Sequence, residues 1–235
     1  MPEEGIELID KPSIMSLEEI ISISSTFQKL GVDTVRLTGG EPLIRKNFDY
    51  LVEELRNLGL QVKLTTNGIL LDRHLEHFKK IGIQKINISL DTLDKAKSVF
   101  ITKRDYYDRI MNNIQQALEL GFHIKLNVVL IKDVNDREIN DFIELTKDQN
   151  IGIKFIEFMP FKGNKWDWSK GISQETILKT VSEKYGEVIA LDQRDGSVTW
   201  RSRVSSEVLA APQANQQLLL VQSVDGQITA LDRAS

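Results

Sequence analysis

From residue 14 to about 190 the chain alternates between two textures: short apolar, β-branched runs and longer amphipathic, charged stretches. Ser16 to Leu30 reads as a helix. Ile20, Ile23 and Phe27 recur at helical spacing, Ser16 can cap it, Glu18 and Glu19 fill its first turn, and Gly31 ends it. Thr34 to Thr38 then reads as a strand, Phe48 to Leu58 as a helix with Leu51, Leu55 and Leu58 on one face, and Val62 to Thr66 as a strand ending at Asn67-Gly68. Leu71 to Ile81 is a predicted helix and Lys85 to Leu90 a strand. Tyr106 to Leu120 (helix), His123 to Leu130 (strand), Arg137 to Lys147 (helix), Ile153 to Phe158 (strand) and Ser173 to Tyr185 (helix) complete the series.

Strands separated by helices of this length pair in parallel, because each crossover helix returns the chain to the same end of the sheet. The expected fold is therefore α/β: a partial (β/α) barrel of about five parallel strands with outer helices. In such a fold functional groups sit at the C-terminal strand ends. Polar residues do gather there: Thr38-Gly39-Gly40-Glu41, Thr65-Thr66-Asn67, Ser89-Leu90-Asp91, Asn127 and Glu157-Phe158-Met159.

After about residue 188 the helical period is lost. Alternating runs take over at Ser197–Trp200, Gln217–Gln222 and Gln227–Leu231, with hairpin turns expected at Asp195-Gly196 and Asp225-Gly226. Ile189-Ala190-Leu191-Asp192 returns as Thr229-Ala230-Leu231-Asp232 about forty residues later, the period of one propeller blade. The expected division is 1–188 for the barrel segment and 189–235 for a short all-β antiparallel tail.

Composition narrows the chemistry. The net charge of −4 gives no reason to expect nucleic acid or an acidic membrane surface as partner. No apolar run approaches a membrane span, and the acidic start Met1-Pro2-Glu3-Glu4-Gly5 is no signal peptide, so cytoplasmic residence is expected. The chain has no cysteine, which removes disulfides, thiolate zinc sites and cysteine-ligated clusters within it. Of its three histidines, His74 and His77 share a helix face, where solvated positions are favoured over a metal pair because that face offers no carboxylate.

Gly39-Gly40 follows the first strand, where glycine lets backbone approach a ligand closely. Glu41, fixed just beyond, can accept from an amino group, and Pro42 stiffens the exit. Arg36 and Lys125 are costly inside a barrel unless an anion meets them, whether a ligand or a carboxylate such as Glu157 or Asp91. A Schiff-base reading as in aldolases would rest on Lys125.

These runs carry a resemblance. Arg36–Leu43, Leu64–Gly68, Ile86–Asp91, Lys125–Val129 and Phe155–Met159 stand in the order found in radical S-adenosylmethionine enzymes, and residues 1 to about 190 are most similar to the GTP 3′,8-cyclase family of molybdenum cofactor biosynthesis. The resemblance implies that Gly40, with Gly39 and Glu41 beside it, holds the methionine part of S-adenosylmethionine, and that Ser89 and Met159 contact the same ligand. It implies that Arg36, Thr65 and Lys125 reach GTP. It also implies a 4Fe–4S cluster, held in that family by a Cys-x-x-x-Cys-x-x-Cys loop just before a Met-Pro pair. Met1-Pro2 resembles that pair, so the expectation is a chain lacking the cluster thiolates and the first strand, with no catalytic residue or metal ligand of its own, inactive as it stands, and open to self-association along the exposed sheet edge.

The tail resembles one blade of a pyrroloquinoline-quinone-type β-propeller, as in the outer-membrane assembly lipoprotein B, through the Gly196-to-Trp200 spacing and the closing Ala-Leu-Asp. In such a repeat Trp200 packs between blades, and a single blade lacks a neighbour. Two unrelated pieces, each broken mid-domain, point to a hybrid: an engineered fusion, a recombined sequence or an assembly artefact. The other reading is a nucleotide- or adenosyl-binding or interaction module without catalysis.

Overall fold

The structure, a computed structural model, describes residues 14–160 and 168–185 and the strand residues 187–191, 198–203, 213–214, 218–222 and 228–232. Helix α1 (Leu17–Lys29) begins at a complete capping box: Glu19 N donates to Ser16 Oγ at 3.1 Å, and Ser16 N donates to Glu19 Oε2 at 2.7 Å. Such a cap is worth about 1 kcal/mol. The chain continues through β1 (Thr34–Leu37), α2 (Phe48–Asn57), β2 (Gln61–Thr66), α3 (Leu75–Lys80), β3 (Lys85–Ser89), α4 (Lys95–Thr102), α5 (Tyr107–Glu119), β4 (His123–Leu130), α6 (Ile139–Asp148), β5 (Ile151–Glu157) and α7 (Gln174–Tyr185).

All five expected strands form one parallel sheet in chain order, β1-β2-β3-β4-β5. The sheet is open: β1 and β5 are its edges among the described residues. Alternation divides it into two faces. Leu64, Ile86, Ile88, Ile124, Leu126 and Val128 are buried on the helix side, where the core is completed by Leu51, Leu55, Phe78, Ile114, Ala117 and Phe142. Each large side chain so buried contributes about 1.5–3 kcal/mol. The opposite face carries the polar positions.

Three elements depart from the sequence pattern. The predicted helix 71–81 is a 3-10 turn (Leu71–Arg73) and α3, broken at His74. His74 Nδ1 lies 2.6 Å from Asp49 Oδ1, and its ring stacks on Phe78 and meets the edge of Phe48, so tertiary contacts hold it off helical geometry. It is packed rather than solvated, and its carboxylate comes from α2 rather than from its own helix face. The predicted helix 137–147 likewise starts as a 3-10 turn (Asp136–Glu138). Helix α4 had no apolar period to announce it; its N-cap is Asp94, whose carboxylate accepts from Lys97 N at 2.8 Å.

Contacts divide the chain into two units, residues 1–171 and 172–235. The second unit contains α7 and two antiparallel sheets: β6 (Glu187–Leu191) with β7 (Val198–Arg203), and β9 (Leu218–Gln222) flanked by β8 (Gln213–Ala214) and β10 (Ile228–Asp232). The two expected Asp-Gly turns lie outside the described residues. Among the described residues no helix is long and apolar enough to cross a membrane.

Candidate functional site

The loop after β1 is built around a carboxylate. Glu41 caps the 3-10 turn Pro42–Ile44 by accepting from Leu43 N at 3.0 Å. The same Oε1 accepts from Thr66 Oγ1 at 2.7 Å, while Oε2 accepts from Asn67 N at 2.7 Å. Three of roughly four acceptor positions on the carboxylate are thus spent on the protein itself. Glu41 ties the loop after β1 to the end of β2, with one lone pair left to face a ligand.

That tie fixes the two glycines. Gly39 has φ +126°, an angle closed to ordinary side chains. A Cβ placed on Gly39 or Gly40 would meet nothing within 4 Å. Internal packing therefore does not account for the glycines, and the space beside their backbone is open. At the end of β2 the backbone is equally set: Asn113 Nδ2 donates to Gly68 O at 2.8 Å, and Ile69 N donates to Asn67 Oδ1 at 2.9 Å.

The sheet brings the three expected substrate residues onto its polar face. Arg36 Nη1 lies 3.4 Å from Thr65 Oγ1. Thr65, Asn87 and Lys125 are register partners across three neighbouring strands, opposite Gly152 of β5. Ser89 occupies the next row towards the C-terminal ends, beside Asn127 and Lys154. Met159 stands two residues past β5 and is 67% exposed. Arg36 and Lys125 are solvent-exposed on an open sheet rather than enclosed, so burial does not penalise them here. Neither forms an ion pair with Glu157 or Asp91: Glu157 lies in register with Leu130 on the helix side, and Asp91 Oδ1 accepts from Val129 N at 2.9 Å. Burial is the main reason that the Asp91 carboxyl titrates above the usual aspartate range.

Two positions escaped the motif reading. Lys63, in register with Arg36, and Lys154 add cations to the same face, and alternation along β2 and β5 was the available signal. Asn127 Oδ1 is buried without a hydrogen-bond partner, the mark of an acceptor waiting for a donor.

The loop after β3 is held from far along the chain. Glu138, only 6% exposed, accepts from Leu93 N at 2.7 Å and from Lys97 Nζ at 2.6 Å, and Thr92 Oγ1 lies 2.9 and 2.8 Å from its two oxygens. Fully buried Asn135 donates to Asp91 O and Val129 O and accepts from Ile131 N. Together they set the strand end that carries Ser89.

An iron–sulfur cluster does not fit this donor set. The chain has no cysteine, and among the described residues no three His, Asp or Glu side chains gather to hold a metal. His123 Nδ1 is 2.7 Å from Asn150 Oδ1, and His77 Nε2 is buried without a partner.

A parallel sheet with a glycine cradle after its first strand and a cationic face define a class, and comparison names it: the Radical SAM superfamily model matches residues 4–146, and the chain belongs to that superfamily. Its relatives are specific. It is 46% identical over 188 residues to molybdenum cofactor biosynthesis protein 1 of Dictyostelium discoideum (79% of this chain, 30% of that protein), 44% to the mitochondrial GTP 3′,8-cyclase of Arabidopsis thaliana (79% and 48%), and 43% to the GTP 3′,8-cyclase of Peptoclostridium acidaminophilum (77% and 57%). The chain thus spans between about a third and just over half of these relatives. Among solved structures, SuiB of Streptococcus suis bound to S-adenosylmethionine shares the fold at TM-score 0.60 and 19% identity, over 75% of this chain and 42% of that one. TYW1 with a lysine-pyruvate adduct shares it at TM-score 0.54 and 21% identity, over 77% and 66%. A second family model, described as outer membrane protein assembly factor BamB, matches residues 157–235.

Proposed function

We propose that residues 1–188 form a barrel segment of a GTP 3′,8-cyclase of molybdenum cofactor biosynthesis, which binds S-adenosylmethionine and GTP but does not by itself carry out radical chemistry. The convergence of Arg36, Thr65 and Lys125 on one face carries this reading. Cations and a hydroxyl in neighbouring rows match a nucleotide triphosphate, with Arg36 as a planar fork and Lys125 as a point charge. Gly39 and Gly40 would lend backbone to the methionine end of the adenosyl ligand, with Glu41 behind them, and Ser89 and Met159 would meet it from the later strands. S-adenosylmethionine supplies radical chemistry when a reduced cluster cleaves it. This chain's residues bind and orient, and it holds no thiolate for a cluster.

Titration calorimetry with GTP and with S-adenosylmethionine tests the reading. Heat with both ligands, together with no brown chromophore after anaerobic iron–sulfide reconstitution, is the expected result. Silence with both ligands overturns the binding claim, and a chromophore overturns the claim of no radical chemistry. A second reading, an interaction module whose blade-like residues 189–235 do the binding, draws support from the match over residues 157–235; it predicts silence with both nucleotide ligands.

A further inference from the structure

Between β3 and β4 the sheet stops being held by its own backbone just where Ser89 stands. Regular pairing ends at Ser89 opposite Asn127, and the last ladder bond runs from Leu90 N to Asn127 O at 3.0 Å. The next bond of a parallel ladder would run from Val129 N to Leu90 O. Val129 N instead donates to Asp91 Oδ1 at 2.9 Å. Two carbonyls, Asp91 O and Val129 O, then lie beyond the end of the ladder. Both accept from Nδ2 of one side chain, Asn135, whose Oδ1 accepts in turn from Ile131 N at 2.6 Å. An amide can do this because it carries two hydrogens on one atom and an acceptor beside them. A carboxylate of the same shape would present an acceptor to both carbonyls, and an apolar side chain would strand all three backbone groups.

Asn135 is itself fixed. It is fully buried, its N donates to Ile131 O at 3.1 Å, and its O accepts from Glu138 N at 3.0 Å. On the ligand side of the last rung Ser89 is exposed and Asn127 Oδ1 has no hydrogen-bond partner, so this row is set through its backbone. The residues expected to meet GTP are held differently. Thr65 and Lys125 lie one row lower, on either side of Asn87, inside regular pairing, and Arg36 pairs with Lys63 within the β1–β2 ladder. Asn135 therefore acts on the row of Ser89 and not on theirs.

We propose that Asn135 is a positioning residue of the adenosyl site: with Asp91 it builds a side-chain rung beyond the last backbone rung, and so sets where Ser89 meets the ligand. The inference rests on the reading of Ser89 as an S-adenosylmethionine contact. It makes affinity for that ligand depend on a side chain sealed inside the loop after β4, while affinity for GTP does not.

Titration calorimetry of the intact chain with S-adenosylmethionine and, separately, with GTP tests this. Asn135→Asp keeps the volume and removes both donors. It should weaken S-adenosylmethionine binding about tenfold and change GTP binding by less than about twofold. Ser89→Ala should weaken S-adenosylmethionine binding in the wild type and add little in the Asn135→Asp background, because one residue acts through the other. A residue that merely stabilises the fold would weaken both ligands alike and add to Ser89→Ala in full. Should Asn135→Asp fail to fold, the Asp91 pair decides: Asp91→Asn keeps an acceptor for Val129 N and should bind as the wild type does, whereas Asp91→Ala should show the same selective loss. Equal weakening of the two ligands, unchanged affinity for S-adenosylmethionine, or full additivity with Ser89→Ala overturns this proposal alone. A wild-type chain silent with S-adenosylmethionine overturns the adenosyl reading and the proposal with it.

Discussion

Two strand ends at the mouth of the sheet are tied down by a carboxylate, and the ties differ in reach. Glu41 belongs to the loop it fixes; it folds back onto its own capped turn and crosses only to the neighbouring end of β2. Glu138 belongs to another loop altogether and comes from beyond β4 to hold Thr92, Leu93 and Lys97. The first tie is part-buried and the second nearly sealed from water. A short-range tie shapes a cradle locally. A long-range tie makes the β3 mouth depend on the whole β4–α6 connection being in place.

The largest effect should come from breaking the long-range tie. Glu138→Ala strands a buried and a part-buried donor, Thr92 Oγ1 and Leu93 N, and leaves Lys97 without its partner, and should cost about 3 kcal/mol in urea unfolding. Glu138→Gln, which keeps an acceptor, should recover part of that. Glu41→Ala should cost less, about 1–2 kcal/mol, because Glu41 itself is only half-buried and its loss leaves no charged partner behind. Its amide hydrogen exchange should rise at Leu43 and Asn67 and stay unchanged at Leu93. Equal losses from the two alanine variants would erase the contrast in reach.

On the polar face, Arg36→Ala and Lys125→Ala should each weaken GTP binding about tenfold, the loss of one charge-assisted contact of ~1.4 kcal/mol. Both sit on the surface and should leave unfolding unchanged within about 0.5 kcal/mol. The smallest effect concerns Asp91. Its folded carboxyl titrates above the ordinary value, so the native state binds the proton more tightly than the unfolded chain, and stability should fall as pH rises from the ordinary aspartate range through the raised folded value. Asp91→Asn should flatten that part of a stability–pH curve; an unchanged slope would assign it to other groups.

Periodicity made the five strands and most of the helices legible, because alternation and helical spacing are imposed by burial on one face. The strand-end glycines and the Arg36, Thr65 and Lys125 positions were legible from motifs whose residues lie close together in sequence. Glu138 and Asn135 were not, since their partners are set by a fold that brings distant loops together. The break at His74 had the same origin: its ring answers to Phe48, Asp49 and Phe78 rather than to its own turn. Glu41 was legible as a carboxylate just past the first strand, but its ties to Leu43, Thr66 and Asn67 were not. The sequence placed a carboxylate beside the glycines, and only the structure shows how much of it is turned inward.

The strand order also sets a schedule. Each strand from β2 onward finds its neighbour already synthesised, so the sheet can grow from one side as the chain emerges. The loop after β3 runs behind that schedule. Its backbone is made early, but its anchor arrives only after β4 has been added and the chain has turned through Glu138. The strand end at Ser89 is therefore among the later parts of the first unit to set, and a nascent chain stalled before residue 138 would carry four of the five strands with the loop after β3 still untied.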